Sequence, residues 1–162
     1  MKKLPEWKFL IANFPNKSAG EVFTEIGGKV KLNYDIGVFN NACATRISRA
    51  LNYSSENHKI PFFKTKDDNG NDIIQVSSGG KKNWYIYRVK ILAQYLSQAY
   101  GSGREIDVKN YKKVLSGKKG IIIFEVSGWT NATGHADLWD GKKCVGSDYG
   151  EKSSKILFWE AF

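Results

Sequence analysis

Cys43 and His135 are the two side chains of this 162-residue sequence best suited to do chemistry together. Cys43 follows Asn40, Asn41 and Ala42 and opens a run in which Ala44, Ile47, Ala50 and Leu51 recur at helical spacing. The thiol is thereby expected in the first turn of an amphipathic helix. Unpaired backbone N–H groups and the positive end of the helix dipole both favour a thiolate there. His135 opens a strand after a glycine-containing loop. A helix-borne cysteine with a strand-borne histidine later in the chain is an arrangement for nucleophilic attack on a carbonyl. Taken singly, each residue has a bland reading: a buried inert thiol and a hydrogen-bonded strand histidine.

The imidazole needs an orienting group. Along a strand, His135, Asp137 and Trp139 share one face. Asp140-Gly141-Lys142-Lys143 reads as a hairpin turn. With Gly141 and Lys142 at its centre, Trp139 faces Cys144 and His135 faces Asp148. Opposed residues have Cβ atoms roughly 5 Å apart, so Asp148 is the first candidate for holding the ring in one tautomer. A turn centred on Asp140-Gly141 shifts the register and spoils this pairing. Asp137 is the second candidate, expected to stand beside the ring without reaching its far nitrogen. The Cys43 N–H is the expected oxyanion donor, with Asn41 as a second donor or as a helix cap. Arg46 adds positive potential near the nucleophile. Trp129, in the loop before His135, either walls a substrate groove or enters the core.

The surrounding elements follow from periodicity and punctuation. Residues 5–13 read as a helix opened by Pro5, with Trp7, Leu10 and Ile11 as its apolar stripe. Ser18 and Glu21 form a capping-box pattern for a second helix, stopped by Gly27-Gly28. A loop through Tyr34 and Gly37 leads to the cysteine helix. Residues 53–80 are polar and read as an extended connection, with a short strand at 73–76 and an exposed His58. The acidic run at 67–72 reads as a plain turn, since it lacks the distal glutamate of a calcium loop. Residues 84–99 read as a helix, and Asp107 caps a short one. Strands are expected at 119–126, 135–139, 143–145 and 156–159. Helices first and an antiparallel sheet after make an α+β chain, with residues 1–162 expected to form a single domain.

The formal net charge is +9, carried largely as lysine pairs and without any basic tail. This points to an anionic partner, such as nucleic acid or a carboxylate-rich cell-wall polymer. A non-catalytic basic domain binding either one is therefore the alternative to an enzyme, but the sequence carries no nucleic-acid-binding motif. With 2 Cys and 2 His, neither a disulfide framework nor a metal-ligand set is expected, and no cofactor is implied. Glu6 and Lys8 interrupt what would otherwise resemble a signal peptide, and no apolar stretch would span a membrane.

Asn41-Ala42-Cys43-Ala44-Thr45-Arg46-Ile47-Ser48-Arg49-Ala50-Leu51-Asn52 resembles the nucleophile helix of the fourth family of type VI secretion amidase effectors. Gly134-His135-Ala136-Asp137-Leu138-Trp139-Asp140-Gly141 resembles that family's histidine strand, and residues 26–30, 85–89 and 156–159 are also similar to its pattern. The resemblance implies a papain-like fold of the NlpC type, the nucleophile helix packed on a C-terminal antiparallel sheet. It implies a peptidoglycan endopeptidase that cuts stem peptides between D-glutamate and meso-diaminopimelate, with Cys43 as nucleophile, His135 as base and Asp148 as third residue. It implies production in the cytoplasm, export by the type VI apparatus without a signal peptide, action in a target cell's periplasm, and a cognate immunity protein. Family members often carry a second cysteine just after the third acid; here Tyr149-Gly150 stands there and Cys144 has no such neighbour.

Overall fold

The computed structural model describes residues 1–39, 41–126 and 134–162; Asn40 and residues 127–133, Trp129 among them, lie outside the described residues. Helix α1 (Trp7–Asn13) buries Leu10. Helix α2 (Ala19–Ile26) begins as its capping pattern implies, the Ser18 hydroxyl accepting from the Glu21 N–H. The glycines after it do not open a loop. With φ of 69° and 61°, Gly27 and Gly28 reverse the chain directly into helix α3 (Gly28–Asp35), where a connection was expected. Gly28 is also pressed against Gly79, where a Cβ would lie 2.5 Å from a backbone carbon.

The cysteine helix, α4 (Cys43–Ser54), is the central helix of the molecule. It packs against α1, and against strands on two sides. Residues 55–80 hold more structure than their polarity suggests. Strands β1 (Lys64–Lys66) and β2 (Asp72–Ile74) form a hairpin whose turn is closed by Asp67, its carboxylate accepting from the Asn69 and Asn71 N–H groups. The expected strand at 73–76 breaks at Gln75, and β3 (Val76–Ser78) pairs instead with β4 (Trp84–Ile86). Helix α5 (Val89–Tyr100) accordingly covers only the second half of the expected 84–99 helix, beginning where the apolar spacing begins. The reason is tertiary. On α4, Asn52 donates to the Trp84 carbonyl at 2.7 Å, and the Ser48 hydroxyl accepts from the Ile86 N–H at 2.9 Å. These bonds hold residues 84–86 extended beside α4. His58 is not freely exposed: its Nδ1 lies 2.8 Å from the Tyr100 hydroxyl, and the two rings stack.

The main sheet combines β5 (Arg104–Ile106), which the sequence reading missed, with β6 (Lys119–Glu125), β7 (Gly134–Trp139) and β8 (Lys155–Ala161). The order is β5-β8-β6-β7, with every neighbouring pair antiparallel. The short helix α6 (Tyr111–Val114) lies between β5 and β6 in the chain. The unbroken apolar run of β6 is explained by burial on both faces. Ile121 and Ile123 join Ala136, Leu138 and the apolar sides of α4 and α5; Ile122 and Phe124 join Trp139, Tyr111, Leu115 and Ile156. β7 forms one end of the sheet order, and α4 packs along it. Among the described residues, no helix is long and apolar enough to cross a membrane.

Asn52 is 3% exposed and serves both the Trp84 carbonyl and the Ile60 N–H. Asn52→Ala leaves both groups without their partner and should lower the unfolding free energy by about 2–4 kcal/mol. Ser48→Ala removes the acceptor of the Ile86 N–H and the hydroxyl donor near the Ala44 and Ile86 carbonyls, and should cost about 1–2 kcal/mol. Urea denaturation of the two variants beside the wild type measures both.

Candidate active site

The two residues that motivated the reading of a cysteine nucleophile meet. Cys43 Sγ lies 2.8 Å from His135 Nδ1, across 92 residues of sequence. Both side chains are buried, at 6% relative exposure each. The head of α4 carries no acidic residue in its first turn, so its positive potential is not offset there. His135 belongs to the face of β7 that looks away from α4, opposite Phe124. The sulfur reaches it because β7 is the terminal strand of the sheet, where side chains of either face are approachable from the edge.

The carboxylate on the far nitrogen of the ring is that of Asp137. Its Oδ2 lies 3.1 Å from His135 Nε2, and it is 1% exposed. The carboxylate also accepts from the Leu138 N–H at 2.8 Å and from the Gly146 N–H at 3.0 Å. The expected pairing of Asp148 with His135 is not formed. The hairpin register holds at its start: Trp139 bridges Cys144, and the Asp140 N–H donates to the Lys143 carbonyl. The Val145 N–H still donates to Leu138. At Gly146 the ladder ends, because its N–H goes to the Asp137 side chain. The expected strand at 143–145 is thus a single bridge, and no pairing carries Asp148 to His135. Asp148 instead accepts from the Tyr111 hydroxyl at 2.8 Å and from the Gly150 N–H at 2.8 Å.

The shape of the imidazole explains why same-face spacing sufficed for Asp137. With Nδ1 turned toward the sulfur, Nε2 lies at the far side of the ring, within reach of the residue two along the strand. Gly146 permits this approach. A Cβ there would lie 2.7 Å from Asp137 Oδ2. Phe124 stacks near-parallel to the imidazole at 6.1 Å, and the Tyr149 ring lies 4.4 Å from it. Neither ring was singled out from sequence.

Burial by itself would push the His135 pKa down. Hydrogen bonds to Asp137 and to Cys43, and the charges of both, more than offset this and raise it to about 9. The ring is thereby an imidazolium at neutral pH, donating from Nδ1 to sulfur and from Nε2 to carboxylate. The Cys144 pKa is also raised, but in a thiol this favours the neutral form. Burial, then the nearby charges of Asp137, Asp148 and Asp140, push its thiol well above the usual range. It is a free, buried thiol packed with Trp139 and Tyr111.

Asn41 sits at the head of α4, where its Oδ1 accepts from the Cys43 N–H at 2.9 Å. It therefore caps rather than donates, and it occupies the N–H that was expected to serve an oxyanion. Arg46 lies one turn beyond Cys43 and donates from Nη2 to the Lys17 carbonyl at 2.8 Å. It lines a cavity of about 270 Å³ together with His135 and Asp137. Trp129 lies outside the described residues. Among the described residues, no group of three or more His, Cys, Asp or Glu side chains could hold a metal ion.

Residues 39–159 match the family model of type VI secretion system amidase effector protein 4. The chain is also similar to solved structures. One is the effector Tae4 of Salmonella Typhimurium in complex with the immunity protein Tai4, at 29% identity and a TM-score of 0.83, covering 98% of this chain and 99% of that one. Another is the Tae4–Tai4 complex of Enterobacter cloacae, at 28% identity and a TM-score of 0.78, covering the whole of both chains. The Enterobacter cloacae effector crystallised alone has a TM-score of 0.79 at 28% identity, again over both whole chains. No curated protein matches the chain.

The His135 ring should titrate near pH 9 in an NMR pH series, instead of near 6.5. Its folded-state value lies above the unfolded one. The stability it contributes is therefore complete below pH 6.5 and lost as the pH rises through about 9. Asp137→Asn should move the titration down toward the ordinary value. Gly146→Ala, which crowds the same carboxylate, should move it in the same direction. Asp148→Asn should leave it nearly in place.

Proposed function

The chain belongs to the family of type VI secretion system amidase effector protein 4, and from that membership we propose that it is a cysteine amidase acting on bacterial cell-wall peptides. The observation that carries this reading is the 2.8 Å approach of Cys43 Sγ to His135 Nδ1, with Asp137 on the far nitrogen of the ring.

Cys43 attacks the amide carbon as a thiolate, forming a C–S bond and a tetrahedral oxyanion. Collapse of this intermediate breaks the C–N bond. The imidazolium of His135 gives its Nδ1 proton to the departing amine, leaving a thioester and a neutral ring. Water then attacks the thioester carbon while His135 takes its proton, and the thiolate leaves with a carboxylic acid as product. Asp137 stabilises the imidazolium at both ends of the cycle and keeps Nδ1 facing the sulfur. The oxyanion develops beside the head of α4. Substrate entry turns the Asn41 amide aside and returns the Cys43 N–H to that oxygen.

The bond is the one between D-glutamate and meso-diaminopimelate in peptidoglycan stem peptides. The substrate's carboxylates suit a chain of net charge +9. Residues 1–162 act as one catalytic unit. The protein is made in the cytoplasm, delivered to a neighbouring bacterium by type VI secretion, and active in that cell's periplasm. Because the related effectors are seen in complexes with Tai4 immunity proteins, the producing cell protects itself with an immunity protein of that kind.

Incubation of purified peptidoglycan with the chain, followed by mass analysis of the released muropeptides, tests both the reaction and the bond. Wild type should release fragments ending in a D-glutamyl carboxylate. Cys43→Ala should lower the rate by about 10³-fold or more. Equal release by the two proteins overturns the assignment.

A further inference from the structure

Two arginines follow the nucleophile on α4, and their circumstances differ. Arg49 is fully engaged. Its guanidinium donates to the Asn13 carbonyl at 3.0 Å, lies 3.5 Å from the Glu25 carboxylate and covers the Tyr53 ring. Arg46 has one partner among the described residues, the Lys17 carbonyl, and no carboxylate pairs with it there. A guanidinium has five N–H donors in a planar fork, so this bond fixes its orientation and leaves donors unspent.

Those donors border the cavity of about 270 Å³ beside the catalytic pair. Its other polar walls include Lys17, Asn16 and Ser147, and its floor includes His135 and Asp137. The one carboxylate in this lining is already neutralised. Asp137 faces the imidazolium and accepts from two backbone N–H groups. The Lys17 ammonium is shared with Glu25 at 3.0 Å. Among the described residues, the charge in this lining without a carboxylate partner is that of Arg46. A ligand group held there lies next to the ring whose Nδ1 is 2.8 Å from the sulfur, and so within about one residue of the attacked carbon.

We propose that Arg46 forms a carboxylate subsite, binding a free carboxylate carried by the residue next to the scissile amide. The Lys17 carbonyl presents the fork, and the Asn16 and Ser147 side chains complete the polar rim. The subsite selects peptides in which that carboxylate is free over those in which it is blocked as an amide, because a carboxamide offers the fork one acceptor and no charge. Arg46 is then a specificity residue for the amidase reading of the preceding subsection, on which this inference rests.

Two synthetic stem tetrapeptides test it, one with a free D-glutamyl α-carboxylate and one with the carboxamide in its place. Steady-state kcat and KM are measured on both peptides for the wild type, Arg46→Gln and Arg46→Lys. The wild type should favour the free carboxylate by about tenfold or more in kcat/KM, chiefly through KM. Arg46→Gln should bring that ratio close to one. Arg46→Lys, which keeps a point charge without the fork, should fall between the two. The proposal is overturned if the wild type cleaves both peptides equally well. It is also overturned if Arg46→Gln slows both by the same factor, which marks a role confined to anchoring the Lys17 carbonyl. If the wild type cleaves neither peptide, the amidase reading itself falls.

Discussion

Burying the ring of His135 would by itself drive off its proton. The sulfur of Cys43 on one nitrogen and the carboxylate of Asp137 on the other reverse that tendency. The rest of the site follows from holding these three groups together away from the surface. Asp137 is 1% exposed, so its carboxylate needs donors of its own. The Leu138 and Gly146 N–H groups supply them. This requirement ends the β ladder at Gly146 and demands a residue there without a side chain. A hydrogen bond to a buried carboxylate thus determines where a strand stops.

The same economy applies to the helix. α4 must present its first turn to the terminal strand of the sheet while its body lies in the core. Its apolar residues, Ala44, Ile47 and Leu51, face the main core cluster. Its small polar residues do a different task, since Ser48 and Asn52 bond the backbone of residues 84 and 86 and hold that segment against the helix. Buried polar groups of this kind are tolerated because each finds a partner. The helix is consequently fixed along both sides, and Cys43 cannot drift from His135 without breaking contacts in two sheets.

The two cysteines show how far environment outweighs residue type. Both are buried and free. One stands at a helix head beside a cationic ring, the other among aromatic rings with three carboxylates nearby. In general, burial and nearby carboxylates disfavour a thiolate, whereas a nearby positive charge favours it. The arginines on α4 make the same point. Arg49 is a structural brace, whereas Arg46, three positions earlier, keeps most of its donors for the cavity.

Much of this was legible in the chain itself. Periodicity placed Cys43 in the first turn of a helix and His135 at the start of a strand. The hairpin count placed Trp139 opposite Cys144, and the order of helices before strands implied the α+β class. These are local properties, carried by side-chain spacing and turn chemistry. Tertiary structure decided the rest. Gly27 and Gly28 read as a stop because their lack of a side chain is visible locally, but the packing that turns them into a new helix is not. Residues 84–86 have helical neighbours and became a strand because α4 claims their backbone. Asp137 displaced Asp148 for a reason no register count contains: once Nδ1 turns to the sulfur, the far nitrogen points along the strand, and the Gly146 N–H prefers a buried carboxylate to the next rung of the ladder. Sequence alone supplied the candidate thiol, imidazole and carboxylates and the elements that carry them. Which carboxylate meets the ring was decided by where a buried carboxylate finds donors, which depends on everything packed around it.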